Sequence, residues 1–164
     1  MSTAPLWLLV ALQATVSAAS MVVEIVAGRM LAPYVGMSLY TWTSVIAVVL
    51  AGFSAGHWWG GRLADRPGIN PMVATAWALV AAAVTTPLAG VALRASAEPV
   101  LSAFPQPVWG ITGLTLAAFF LPSLFAGIPA PLLTQVALSG PSRPTAPGPR
   151  TPAPGPAPAP PPPQ

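Results

Sequence analysis

The sequence predicts an all-α integral membrane protein: a polytopic bundle of about four transmembrane helices over residues 1–139, followed by a disordered, proline-rich tail over 140–164. Three observations carry that prediction. Of 164 residues 54% are hydrophobic and 5% charged, with mean hydropathy +0.70, too few polar side chains to clothe a soluble globule. Four apolar stretches each reach the ~20 residues needed to cross a hydrocarbon core of about 30 Å. After Ser139 the chain turns to proline with alanine, glycine, serine and threonine and ends in four consecutive prolines before Gln164. Such a segment cannot bury enough apolar surface to fold, and reads as disordered or polyproline II.

The same composition excludes whole classes of function. Six arginines and no lysine stand against Glu24, Asp65 and Glu98, for a net charge of +3. That is too sparse for a nucleic-acid footprint, which needs a clustered basic face. With no cysteine, disulfides, iron–sulfur clusters and thiolate metal sites are excluded. A lone histidine beside so few carboxylates assembles no usual metal site, so no metal or cofactor is expected.

The first helix is predicted over approximately 5–27. The small residues Ser17–Ala19 after an apolar run would suit a signal peptidase, but no Lys or Arg precedes the run and three further spans follow, so the helix is read as uncleaved. Its polar residues Gln13, Ser17, Ser20 and Glu24 are spaced by four, three and four. They form one stripe, which should face protein or water and not lipid. Arg29 then ends the apolar segment, and LAPYVGMS, with Pro33 and Gly36, reads as a connection.

The second helix is predicted over 39–61, opening on Tyr40 and Trp42 and closing on Trp58 and Trp59, an aromatic belt at either interface. Gly52, Gly56 and Gly60 recur every fourth residue and would let another helix approach closely. The row reads as internal packing, with homodimerisation as the alternative, and the alanine-rich third helix is its expected partner. The loop GRLADRPGIN follows, with Gly61, Arg62, Asp65, Arg66 and Gly68 the densest charge in the chain. Asp65 is read as accepting hydrogen bonds from the next helix start, and the two arginines as headgroup anchors.

A third helix is predicted over 71–93, kinked at Pro87, whose freed carbonyl partner Thr85, Thr86 or a neighbouring helix could satisfy. Arg94, Glu98 and the prolines at 99, 105 and 107 read as a loop. The fourth helix is predicted over 108–127, with a proline-broken extension to 138 and a break near Gly127. Arg62, Arg66, Arg143 and Arg150 fall on one side of the spans and Arg29 and Arg94 on the other. The positive-inside rule then places both termini in the cytoplasm of a multi-pass cell-membrane protein.

Three stretches carry a resemblance: EIVAGRMLAPYVGMSLYTW (24–42), GFSAGHWWGGRLADR (52–66) and FLPSLFAGIPAPLL (120–133). In that order they resemble the membrane portion of the fused major-facilitator/spermidine-synthase-like proteins. The matching positions are Glu24, Arg29, Gly36, Ser38, Trp42, Gly60, Gly61, Ala64, Asp65, Pro122, Gly127 and Pro131. GRLADRPG also resembles the loop between the second and third helices of major facilitator transporters, through Gly61, Asp65, Arg66 and Gly68. Ile69 and Asn70 stand where that loop usually carries two basic residues.

The resemblance implies a membrane module without its synthase-like domain. No G-x-G-x-x-G fingerprint follows a strand, and no acidic pair after one could hold a ribose or a polyamine nitrogen. The chain alone is therefore expected not to be an enzyme. Two other readings stand beside this: a transporter-like subunit for a polyamine or other small cation, and the membrane component of a split polyamine-synthase-like enzyme. Partners in these readings are the bilayer, a second copy or partner membrane chain, and a separately encoded synthase-like domain. Glu24 is the candidate cation or proton site; otherwise it is a surface carboxylate partnered by Arg29 or a helix end. His57 reads as packing or as an interhelical hydrogen bond. The tail reads as a solvated segment or a ligand for a polyproline-reading domain.

Overall fold

The structure is a computed structural model that describes residues 5–139; the proline tail lies outside the described residues. Five helices account for nearly all of it, with no strand among the described residues: α1 (Leu6–Val35), α2 (Leu39–Ala64), α3 (Pro71–Ala103), α4 (Pro107–Gly127) and α5 (Pro129–Leu138). With α4 and α5 taken as one unit, four helices are long and apolar enough to cross a bilayer.

Two predicted loops are helical. α1 continues from Ala27 through Arg29 and Pro33 to Val35, because burial of Ala27, Gly28 and Leu31 holds the turns around the single bond that Pro33 removes. The stop is Gly36, at φ 74, whose N–H donates to the Ala32 carbonyl. α3 likewise runs ten residues past Leu93 to Ala103, since Leu93, Ala97 and Val100 join the core while Arg94 and Glu98 point outward. At 1.5 Å per residue α1 and α3 are about 45 and 50 Å long, so both overshoot the hydrocarbon layer.

At Pro87 the threonine hydroxyls take carbonyls other than the freed one. Thr85 Oγ1 donates to Ala81 and Thr86 Oγ1 to Ala82, at 2.8 and 2.7 Å, whereas the carbonyl that loses its partner four residues before the proline is Ala83. The expected break between the last two segments falls at Ile128, which interrupts the hydrogen-bond ladder yet keeps helical dihedrals (φ −61, ψ −38).

α4 is the centre of the bundle. It packs against both α2 and α3, while α2 and α3, consecutive in sequence, scarcely touch. The glycine row of α2 therefore faces α4 and α5, not the alanines of α3. A Cβ at Gly52 would lie 2.6 Å from Ser123 Cβ, and one at Gly60 2.5 Å from the Ile128 carbonyl oxygen. One at Gly56 would strike the Leu124 carbonyl and come within 3.0 Å of Gly127 Cα. α4 supplies the complementary small residue, Gly127, whose own Cβ would meet the Phe53 carbonyl at 2.8 Å. Small residues on both sides bring the backbones together, and dispersion across that seam replaces the hydrophobic drive that lipid cannot provide. Ser44 and Thr112 add an α2–α4 hydroxyl pair at 3.0 Å. Gln135 Nε2 donates to the Ala64 carbonyl at 2.6 Å, tying α5 to the end of α2.

Candidate functional site

The loop after α2 is built from helix caps and a glycine turn. Asp65 is the C-terminal cap residue of α2, with its backbone N–H on the Gly61 carbonyl at 3.1 Å, and its side chain is exposed. The start of α3 is capped instead by Asn70, whose Oδ1 accepts from Met72 and Val73 N–H at 3.0 and 3.4 Å, followed by Pro71 in the first turn. Asn ahead of Pro is a legible helix-start signal that the sequence reading passed over in favour of the charged residue. Arg62 sits 4.0 Å over the Trp58 ring, a cation–π pair, and Arg66 is exposed. Gly61 has open space around it, and Gly68 turns the chain at φ 90.

The α1–α2 end of the molecule is fastened by Trp42, which packs across Gly28. A Cβ at Gly28 would lie 2.9 Å from the indole. Trp42 is thus half-buried, in contrast to Tyr40, Trp58 and Trp59, which are exposed in the manner of an aromatic belt. Ala27, Gly28 and Leu31 are buried at this clasp, and away from it α1 buries little beyond Leu9. Between its middle turns and the α2–α4 pair lies open space.

That space is a cleft in two connected chambers. One, of about 210 Å³, is lined by Gln13, Ser17, Ser20 and Glu24 of α1 together with Phe53 and His57 of α2. All four polar residues of the α1 stripe therefore border a single cavity. The other, of about 330 Å³, is almost wholly apolar and extends to α3, with Val23, Val49, Leu79, Ala83 and Pro87 among its walls. Val16, Ser20, Phe53 and Ala126 border both chambers. From Gln13 to Glu24 the polar wall runs about 16 Å along α1. His57 is about 22 Å along α2 from Trp42, and Gln13 as far along α1 from Gly28, so these two are level at one end.

Glu24 and Arg29, partners in one reading of the carboxylate, project from different faces of α1. Glu24 lines the chamber while Arg29 is exposed; five positions turn a helix by about 140°, so the arginine projects from another face. His57 makes a tilted ring contact with Phe53, centroids 6.4 Å apart, and borders the cavity. Ser20 Oγ donates to the Val16 carbonyl at 2.9 Å and Gln13 Nε2 to Ser17 Oγ at 3.5 Å. Gln13 Oε1 is buried without a hydrogen-bond partner. Among the described residues no group of three or more His, Cys, Asp or Glu could hold a metal ion. Phe53 and Ala126, which join the chambers, were absent from the sequence reading; the only signal for Phe53 is its place one turn before His57.

Comparison with protein families, with curated proteins and with solved structures found no match.

Proposed function

We propose that this chain is a non-catalytic integral membrane module that binds an organic cation in the cleft beside α1, as a transport-related subunit. The observation behind it is the convergence of Glu24, the other three stripe residues and His57 on one cavity between apolar helices. A carboxylate beside an apolar span is costly unless it faces a cavity, a counter-ion or a partner. Here it faces a cavity bordered by oxygen acceptors. Four spans are far fewer than a complete major facilitator has, so a transport pathway needs helices beyond these four.

The order of the motifs at 24–42, 52–66 and 120–133 favours a related reading, in which the module is the membrane part of a spermidine-synthase-like assembly. Chemistry by this chain alone is not proposed. The arginine distribution supports both termini in the cytoplasm of the cell membrane; a topology reporter fused after Ser139 that reads external would reverse the assignment.

The central test is equilibrium binding of a set of amines, putrescine, spermidine and 4-phenylbutylamine, to the full chain in lipid nanodiscs, with protein-free nanodiscs as blank. At least one amine is expected to bind wild type ten-fold or more tightly than the Glu24→Gln variant. Indifference of every amine to that substitution would remove Glu24, and the cation reading with it.

A further inference from the structure

The geometry points to a lipophilic monoamine, not a polyamine, as the ligand of this cleft: one ammonium group held in the polar chamber and an apolar body in the chamber beside it. This rests on the cation reading above and specifies its ligand class. The polar chamber offers acceptors. The Glu24 carboxylate borders it, and Ser20, one turn away, has already committed its proton to the Val16 carbonyl, leaving lone pairs, while Gln13 Oε1, buried without a partner, lies at the far end of the same wall. A group that must balance the Glu24 carboxylate and meet the Ser20 lone pairs is a donor without acceptor capacity, which describes an ammonium. Phe53, at the boundary of the two chambers, can present a ring to the cation.

The shape and polarity of the second chamber set the rest of the ligand. It is the larger, at about 330 Å³ against about 210 Å³, and no charged side chain lines it. Its hydroxyls at Thr86 and Ser123 already donate to the backbone carbonyls of Ala82 and Phe119. An alkyl or aryl body fits there. The second ammonium of a polyamine would be taken from water with no counter-charge to meet it. Because Val16, Ser20, Phe53 and Ala126 border both spaces, one molecule can reach from the carboxylate into the apolar chamber.

The same amine set in nanodiscs, extended by the neutral analogue 4-phenylbutanol, tests this. 4-Phenylbutylamine is expected to bind at least ten-fold more tightly than putrescine or spermidine and at least ten-fold more tightly than the alcohol, each corrected for partition into protein-free nanodiscs. Ala83→Phe and Ala19→Phe fill the apolar chamber from two helices at exposed positions. Both should weaken 4-phenylbutylamine at least five-fold while monodispersity and helicity stay at wild-type levels. Polyamine binding as tight as that of 4-phenylbutylamine, and sensitive to Glu24→Gln, would overturn the monoamine class and leave the cation reading standing. Indifference of every amine to Glu24→Gln would sink both. Amine binding that needs Glu24 yet ignores both filling variants would overturn the two-chamber pose.

Discussion

Replacing Gly56 by Ala tests the α2–α4 seam, because a single methyl group has opposite consequences at Gly56 and Gly61, which lie on different faces of α2. A Cβ at Gly56 meets the Leu124 carbonyl and stands 3.0 Å from Gly127 Cα, so the backbones must part by several tenths of an ångström even on the lenient side of the contact. A radial gap of 0.5–1 Å forfeits roughly a quarter to a half of each dispersion well along the seam. Overpacking of this kind costs about 1–3 kcal/mol. Against it stands the gain of about 0.5–1 kcal/mol when alanine replaces a helical glycine, so Gly56→Ala should lose about 1–2 kcal/mol net. At Gly61 nothing lies within 4 Å of the added carbon, and Gly61→Ala should gain about 0.5 kcal/mol from helix propensity alone. Reversible unfolding in mixed micelles, read as the shift in free energy for each variant, gives both numbers. Equal stabilities for the two variants, or a Gly56→Ala protein as stable as wild type, would refute close backbone approach as the organising contact of the bundle.

Two further outcomes follow from the same contacts. Asn70→Ala should cost about 1 kcal/mol through loss of the α3 cap, whereas Asp65→Ala should change stability by less than half of that; the reverse ranking in micelle unfolding would return the capping role to Asp65. A double-mutant cycle of Ser44→Ala and Thr112→Val should show a coupling near 0.6 kcal/mol, the usual size of an interhelical hydrogen bond in a bilayer, and zero coupling would mean that the hydroxyl pair contributes nothing in lipid.

The number of spans was legible because lipid makes long apolar runs obligatory, and α2 from Leu39 and α3 from Pro71 begin where the residues indicated. Helix ends were less legible. Proline and charge at Pro33, Arg94 and Pro99 signal a loop only where nothing holds the turns on either side, and packing of Leu31, Leu93 and Ala97 overrides that signal. The spacing of Gly52, Gly56 and Gly60 marks a face ready for close approach but carries no information about which helix takes it. The partner was α4, whose Ser123 and Gly127 lie against Gly52 and Gly56. In the cleft, the four-three-four spacing on α1 placed Gln13, Ser17, Ser20 and Glu24 together. Nothing local in the sequence could show that α2 would set Phe53 and His57 opposite them, since that depends on the α1–α2 crossing fixed by Gly28 and Trp42.

That crossing makes α1 a strut held at two places. Gly28 is pinned against Trp42 at one end, and Leu9 is buried ~28 Å away near the other. The polar wall from Gln13 to Glu24 is the span between these two holds, so its length along the cleft is set by packing at its ends and not by contacts of its own.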